Sequence, residues 1–223
     1  MGKRPIITID GPAGAGKSTV GRRLAQSLHY LYLDSGSLYR AVAWQSRRLG
    51  LALDDAGALA AMLPGFQPEL RADETGFRLL IEGREVREEI RTPEVSRGAS
   101  TVAKLPVVRR WVTEHLRWLA KEGGAVADGR DQGSAVFPEA EFKFYLDASL
   151  RTRALRRQQD WQRDGDPVPL EKVMQDMAAR DHQDETREAA PLKVPAGAIV
   201  IDTTDMTVEE VVARCLAHIA AHH

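Results

Sequence analysis

The stretch Gly11-Pro12-Ala13-Gly14-Ala15-Gly16-Lys17-Ser18-Thr19 decides the fold of this chain. It follows the pattern G-x-x-x-x-G-K-[ST], in which the backbone N–H groups of a glycine-rich loop surround phosphate groups. The preceding run, Ile6–Asp10, is apolar and β-branched like a buried strand. After the stretch, Val20, Leu24 and Leu28 recur at helical spacing. A loop between a strand and a helix N-terminus predicts a binding site for a nucleoside triphosphate.

Each residue of this stretch, which we call the phosphate loop (Gly11–Thr19), is expected to bind the cofactor pair ATP and Mg²⁺. Lys17 would contact the outer phosphates, and the Ser18 hydroxyl would ligate Mg²⁺ directly. Asp128, at the end of a later predicted strand, would orient the ion through a water molecule. A chance match in a glycine-rich turn would lack the flanking strand and helix.

Composition limits the classes of partner. The chain has 223 residues, 43% of them hydrophobic and 28% charged, with a formal net charge of −1. This balance argues against a nucleic acid or an anionic membrane as partner. Cys215 is the single cysteine, which excludes a disulfide framework. No apolar run is long enough for a membrane span and no signal peptide precedes the first strand, so we expect a cytoplasmic monomer.

The hydrophobic pattern predicts alternating strands and helices. This alternation favours an α/β fold of the P-loop NTPase type, with a doubly wound parallel sheet of about five strands and helices on both faces. Between about residues 63 and 91, turn residues and the run Phe77–Val86 instead indicate a small antiparallel insertion. The other predicted strands are Tyr30–Asp34, Ala125–Asp128, Phe142–Asp147 and Ala198–Ile201. Three predicted helices span about residues 37–49, 93–103 and 106–122. Two further arginine-bearing helices are predicted on either side of the turn Asp164–Pro167, and a last helix begins at Thr207–Glu210.

Two further polar stretches are expected at the same edge of the sheet as the phosphate loop, and a third is expected on a helix. Asp34–Arg40 follows a strand and starts a helix, and Asp128–Asp131 follows another strand. Arg180–Arg187 is predicted to be helical, which would place Arg180, Asp184 and Arg187 on one face. Ligands of open α/β sheets bind at the carboxyl ends of the strands, so these stretches predict a second anion site.

Four motifs in this order resemble those of the bacterial cytidylate kinases, the CMP kinase branch of the nucleoside monophosphate kinases. They are Gly-Pro-x-Gly-Ala-Gly-Lys-Ser, Asp-Ser-Gly-x-x-Tyr-Arg, Asp-Gly-Arg-Asp-x-Gly, and Arg-Asp-x-x-Asp-x-x-Arg before Pro191-Leu192. The resemblance runs from about Ile6 to about Ala217. It implies the reaction ATP + (d)CMP = ADP + (d)CDP, with CMP, dCMP and ATP as small-molecule substrates.

The resemblance also implies a role for individual residues. Arg40 and Arg130 would clamp the phosphate of CMP, and Arg157 would join them, Lys17 and Asp128 as a catalytic residue. Arg153 and Arg156 would be further candidates for contacts to nucleotide or phosphates. Ser100, Arg109 and Asp131 would contact the cytosine base, Arg180, Asp184 and Arg187 the sugar hydroxyls, and Ser35 and Tyr39 would line the same pocket.

The resemblance divides the chain into three parts. Residues 1–36, 104–150 and 189–223 would form the core with the ATP-binding loop, residues 37–103 the CMP-binding domain with its β insertion, and residues 151–188 the lid and the following helix. Gln132 and Ser134 depart from the family pattern, where a hydrophobic residue and threonine are usual, and this leaves the fine shape of the pocket open.

Two rival functions remain at this point. One is another P-loop kinase acting on UMP, shikimate or dephospho-coenzyme A, and the other is a nucleotide-binding switch without kinase activity. A hydroxyl acceptor would need a general base, whereas two clamping arginines suit a phosphate acceptor. Simpler structural roles also stay open, since Arg180 and Asp184 could form a surface ion pair and the arginines of residues 151–163 a solvated helix face.

Overall fold

We describe a computed structural model of the chain that covers residues 4–73, 76–163 and 168–222. The turn expected at Asp164–Pro167 lies outside these residues. The strands are β1 (Arg4–Asp10), β2 (Leu31–Asp34), β3 (Glu69–Asp73), β4 (Gly76–Ile81), β5 (Arg84–Glu85), β6 (Gly123–Asp128), β7 (Phe142–Asp147) and β8 (Ile199–Asp202). The helices are α1 (Lys17–Leu28), α2 (Ser35–Arg48), α3 (Ala56–Met62), α4 (Pro93–Val102), α5 (Pro106–Leu119), α6 (Leu150–Arg163), α7 (Leu170–Thr186) and α8 (Val208–His222).

The main sheet has five parallel strands in the order β2-β6-β1-β7-β8, which confirms the predicted fold class. Asp128 of β6 lies opposite Ile9 of β1 on one side and Asp34 of β2 on the other. Because all five strands run in the same direction, their carboxyl ends meet at one edge of the sheet. The phosphate loop and the turns that follow β2 and β6 therefore start from neighbouring positions.

The two faces of the sheet support two separate cores. Ala125 and Ala127 face one core, which contains α2, α4 and α5, whereas Val126 between them faces the other, which contains α1 and α8. This alternation follows from the two-residue period of a strand. Full burial of a side chain such as Leu24 or Leu116 stabilises the fold by roughly 1.5–3 kcal/mol.

Side-chain capping sets where helices α2 and α8 begin. The Asp34 side chain accepts a hydrogen bond from the Ser37 backbone N–H at 3.0 Å and so starts α2 at the end of β2. At α8, the Thr207 N–H donates to Glu210 at 2.8 Å while the Glu210 N–H donates to Thr207 Oγ1 at 3.3 Å. The latter pair is the capping box predicted from the sequence.

The insertion is antiparallel, as predicted, but larger than the sequence indicated. The hairpin β4–β5 is joined by β3 in a sheet of order β3-β4-β5. Strand β3 was missed because three of its five residues, Glu69, Arg71 and Asp73, are charged, although Leu70 packs on the core. Helix α3 was also missed, although Asp55 caps it by accepting a hydrogen bond from the Ala58 N–H at 2.9 Å.

Helices α6 and α7 pack together beside the phosphate loop. Ala154, Val173 and Met177 form a small core on which Ala13 of the loop also packs. Helix α7 ends at Thr186, so the prediction that Arg187 is helical is wrong, and this residue has an extended backbone just after the helix. Within the described ranges, the helices are too short or too polar to cross a membrane.

Candidate active site

The glycines of the phosphate loop allow close backbone approaches. Gly11 has a φ of 143°, and an added Cβ there would lie 2.0 Å from the carbonyl oxygen of Leu146. Gly14 has a φ of 77°, and its Cβ would lie 2.9 Å from the carbonyl oxygen of Arg153 and 3.0 Å from Met177 Cε. Larger residues would therefore strain the loop and push it away from β7 and α6.

Lys17 begins α1 and is buried, with Nζ donating a hydrogen bond to the carbonyl oxygen of Pro12 at 2.6 Å. Burial lowers the pKa of Lys17 well below its ordinary value, and the guanidinium of Arg130 lowers it further. Asp128 and Asp10 oppose this shift. A buried ammonium group with a cationic neighbour favours the arrival of an anionic ligand.

Ser18 and Asp128 form a hard-oxygen pair at the same edge. The Ser18 hydroxyl donates to Asp128 Oδ2 at 2.7 Å, and the Ser35 hydroxyl donates to the Asp128 carbonyl oxygen at 2.8 Å. Burial raises the pKa of Asp128 to about 6, and the nearby Asp34 carboxylate adds to the rise. Excess negative charge next to a hydroxyl fits Mg²⁺. No group of three or more acidic, His or Cys side chains that could hold a metal ion occurs in the described residues.

Arg40 is held at the start of α2. Its Nη2 donates to Asp34 Oδ2 at 3.1 Å and to Ser37 Oγ at 2.8 Å, while its buried Nε has no hydrogen-bond partner. Burial tends to raise the pKa of Asp34, but Arg40 and the Ser37 hydrogen bonds outweigh it and leave this pKa below its ordinary value. The guanidinium is thus oriented by the capping residue of its own helix.

Arg130 is held by α7. Its Nε donates to Asp184 Oδ2 at 2.9 Å, and Arg187 Nη1 lies 3.5 Å from the other oxygen of the same carboxylate. The pKa of Asp184 is lowered, because the surrounding guanidiniums, Arg130 foremost, outweigh the effect of burial. Asp184 therefore orients two of the predicted substrate arginines. The surface pair of Arg180 with Asp184 is not what the structure contains.

Arg180 lies at the centre of a cluster of cations. Burial and the charge of Arg130 lower the pKa of Arg180 to about 10, with further contributions from Arg157 and Arg40. Its buried Nε has no hydrogen-bond partner, and neither has Nη2 of Arg187. Like charges repel one another, so buried guanidiniums with unused donors provide a site for an anion.

A second part of the pocket lies beside this cluster. Arg109 forms a buried ion pair with Asp131 and also donates to the Ala103 carbonyl oxygen at 3.1 Å. Burial raises the pKa of Asp131, and Arg109 opposes that rise. The Arg109 guanidinium lies 5.8 Å from the centre of the buried Tyr39 ring. Ser100 joins this region through its carbonyl oxygen, which accepts from Gln183 at 3.2 Å.

Two arginines of α6, Arg153 and Arg156, make hydrogen bonds within the protein. Arg153 is buried and donates to Asp181 at 2.6 Å and to the carbonyl oxygens of Ala148 and Ala13 at 2.9 and 3.1 Å. Arg156 donates to the Thr203 carbonyl oxygen and hydroxyl at 2.6 and 3.1 Å. Both side chains connect protein segments. Their contact with nucleotide or phosphates, which the resemblance implies, stays a prediction.

The comparisons with known proteins agree with this geometry. The model of the cytidylate kinase family matches residues 7–221. The chain belongs to the cytidylate kinase family. It is 44% identical over 218 residues to the cytidylate kinase of Desulfitobacterium hafniense (strain Y51), covering 97% of this chain and 93% of the relative. It is 45% identical over 210 residues to that of Geobacillus sp. (strain WCH70), covering 94% of each.

Some relatives of this cytidylate kinase family member are longer. It is 43% identical over 212 residues to the bifunctional pantoate ligase/cytidylate kinase of Synechococcus sp. (strain JA-2-3B'a(2-13)), which covers 94% of this chain but 39% of that protein. Among solved structures, a shikimate kinase from Acinetobacter baumannii has a TM-score of 0.50 at 19% identity, covering 98% of this chain and 94% of its own. A gluconokinase from Sinorhizobium meliloti 1021 has a TM-score of 0.50 at 16% identity, covering 99% and 94%. These likenesses show the fold.

Proposed function

We propose that this chain transfers the γ-phosphoryl group of ATP to CMP and dCMP, giving ADP and the nucleoside diphosphate. The observation that carries the proposal is the cation cluster opposite the phosphate loop. Arg130 acts on the pKa of both Lys17 and Arg180, and Arg40 acts on that of Arg180. Two neighbouring groups of cations, one at the phosphate loop and one around Arg180, suit a phosphate donor and a phosphate acceptor.

The acceptor needs no general base in this reaction. A phosphate monoester has a second pKa near 6 and is already anionic near neutral pH. Catalysis would come from positioning and from stabilising charge on the transferring group. Lys17 would contact the outer phosphates of ATP, and Arg40, Arg130 and Arg157 would surround the transferring group. Hydroxyl acceptors such as shikimate would leave two of these guanidiniums without a phosphate.

Mg²⁺ would be held by the Ser18 hydroxyl directly and by Asp128 through a water molecule. When bound, the ion would neutralise charge on the β- and γ-phosphates. The hydrogen bond of 2.7 Å between these two side chains supports the proposal because it places both oxygens at one spot. The phosphate loop amides would complete the donor site.

The cytosine base would be recognised by the ion pair of Arg109 and Asp131. Cytosine carries an amino donor where uracil carries a carbonyl acceptor, and an ionised carboxylate can only accept hydrogen bonds. Asp131 would therefore favour CMP over UMP. Ser100, Ser35 and Tyr39 would line the pocket, and Arg180, Asp184 and Arg187 would contact the sugar.

The proposed function divides the chain into three parts. Residues 37–103 would move as the acceptor-binding domain, and residues 151–188 would form a lid that excludes water during transfer. Residues 1–36, 104–150 and 189–223 would remain as the core. The contact of Ala13 with the small core of α6 and α7 supports a lid based at the phosphate loop.

The test is release of ADP from MgATP with CMP, dCMP, UMP, AMP and shikimate offered in parallel. We expect the highest kcat/KM with CMP and dCMP, and no turnover above background with shikimate. Preferred use of shikimate or AMP would overturn the acceptor assignment. ATP binding without turnover of any acceptor would instead favour a nucleotide-binding switch.

A further inference from the structure

Asp10 is a buried carboxylate to which the proposed function gives no role. It is the last residue of β1, has no exposed surface, and directly precedes Gly11 of the phosphate loop. Its Oδ1 accepts a hydrogen bond from the backbone N–H of Gln132 at 2.7 Å, and its Oδ2 accepts one from the N–H of Gly133 at 2.7 Å. Both oxygens are therefore committed to one neighbouring loop.

That loop, residues 129–136, carries two residues of the acceptor pocket, and we call it the acceptor loop. Arg130 and Asp131 come directly before the two N–H groups that Asp10 binds. The end of β1 makes one more tie to this loop, because the Gly129 N–H donates to the Ile9 carbonyl oxygen at 3.0 Å. Ile9 and Asp10, the last two residues of β1, thus hold the acceptor loop, and the phosphate loop begins at the next residue.

The packing around Asp10 leaves no room for the acceptor loop to lie closer to β1. A Cβ added to Gly133 would lie 2.7 Å from Thr8 Oγ1 and 3.2 Å from Asp10 Oδ2. Burial raises the pKa of Asp10 to about 7, against the hydrogen bonds from Gly133 and Gln132 and the charge of Lys17, and Asp131 adds to the rise. An ionised carboxylate at this position opposes folding, which is typical of residues kept for function rather than stability.

We propose that Asp10 is a positioning residue that sets the spacing between the phosphate loop and the acceptor loop and so holds Arg130 and Asp131 at the acceptor nucleotide. The inference rests on the proposed function for the identity of that nucleotide. Asp10 acts through the N–H groups of Gln132 and Gly133 and itself contacts no substrate. A shift of the acceptor loop would weaken acceptor binding and base selection while leaving the donor site in place.

The test is Asp10→Asn, which has the same shape but exchanges one acceptor oxygen for an NH₂ donor that faces a backbone N–H. We expect KM for CMP to rise about 10-fold and the CMP-over-UMP ratio of kcat/KM to fall several-fold, in line with the loss of one specific hydrogen bond. KM for MgATP should stay within about threefold. The thermal midpoint at pH 8 should equal or exceed that of the parent chain, because the neutral amide avoids the desolvation of a carboxylate.

The matched control is Glu141→Gln. The Glu141 carboxylate accepts the Ile6 N–H at 2.8 Å near the other end of the same strand, and we expect this variant to keep all kinetic constants. An Asp10→Asn variant with unchanged CMP constants, or with parallel losses in stability and in both KM values, would overturn the inference.

A measurement on the parent chain separates this inference from the proposed function. The ¹⁵N–¹H resonances of the Gln132 and Gly133 amides should titrate together with a midpoint near pH 7, and their hydrogen exchange should speed up at least 10-fold in Asp10→Asn. Independent titration or unchanged exchange would refute the role of Asp10. Failure of the parent chain to use CMP, with these amide signals as expected, would refute the proposed acceptor alone.

Discussion

The phosphate loop and the proposed acceptor pocket both suit phosphate, but by different means. The loop consists of nine consecutive residues, and its ligands would be backbone N–H groups and Lys17. The pocket takes its guanidiniums from separate elements: Arg40 from α2, Arg130 from the acceptor loop, and Arg180 from α7. A site of local origin depends on backbone conformation, whereas a site assembled from distant elements depends on the ion pairs that orient each side chain.

Lys17→Met is expected to have the largest effect and to separate the two sites. It removes the one charged side chain of the phosphate loop while leaving the guanidiniums of the pocket intact. We expect kcat to fall by about 1,000-fold, as for loss of a key electrostatic donor, with little change in CMP affinity. Steady-state kinetics and calorimetric CMP titration measure the two effects. A comparable loss of CMP binding would show that the sites are not independent.

Arg130→Met should damage the acceptor side by two routes. It removes the proposed phosphate contact and leaves the buried Asp184 carboxylate without its partner at 2.9 Å. We expect a loss of about 2–4 kcal/mol of transition-state stabilisation and a lowered thermal midpoint. Arg40→Met is the matched comparison, because Asp34 keeps its hydrogen bonds from Ser37. The Arg40→Met variant should lose a similar amount of activity but a smaller amount of stability. Near-normal turnover of either variant would show that its arginine does not clamp the acceptor phosphate.

The same contrast explains what could be predicted from the sequence. The phosphate loop and β7 could be assigned because each depends on a contiguous pattern, and the predicted bounds Phe142–Asp147 match the strand. The partner of Asp184 could not, because helical spacing pointed to Arg180, four residues before it. In the fold its partners are Arg130, 54 residues away in sequence, and Arg187, three residues after it, and sequence spacing alone reveals neither choice.

Other residues were missed for related physical reasons. Asp34 was recognised as a strand end but not as the group that orients Arg40. Asp181 and Arg153 form a buried pair at 2.6 Å between α7 and α6 that no local pattern reveals. An aspartate at the end of a strand is not a sufficient signal, because all five strands of the main sheet end in one, β7 at Asp147 and β8 at Asp202 included.

Asp131→Ala should have a smaller and more selective effect. Removing the carboxylate takes away the proposed acceptor for the cytosine amino group and leaves Arg109 without its buried ion-pair partner. We expect the CMP-over-UMP ratio of kcat/KM to narrow by about 10-fold, corresponding to one base-specific contact. Competition between the two nucleotides at fixed MgATP measures this ratio. An unchanged ratio would show that base selection lies elsewhere in the pocket.

Arg156→Ala should have the smallest effect on catalysis and tests whether every arginine near the phosphate loop serves phosphate. Its guanidinium donates to the Thr203 carbonyl oxygen and hydroxyl at 2.6 and 3.1 Å, so its loss should cost about 1–2 kcal/mol of stability. The thermal midpoint should fall by roughly 2–8 °C for a chain of this size, with kcat and KM for MgATP within about twofold.

Arg157→Ala is the matched variant for Arg156→Ala. The two residues are adjacent on α6 and both are half-buried, but Arg157 is close enough to Arg180 to lower its pKa. Arg157→Ala should therefore lower kcat by more than 10-fold. Equal kinetic losses in both variants would mean that α6 presents a general cationic surface to ATP. A kinetic loss in Arg157→Ala alone would distinguish a catalytic arginine from a structural one within a single helical turn.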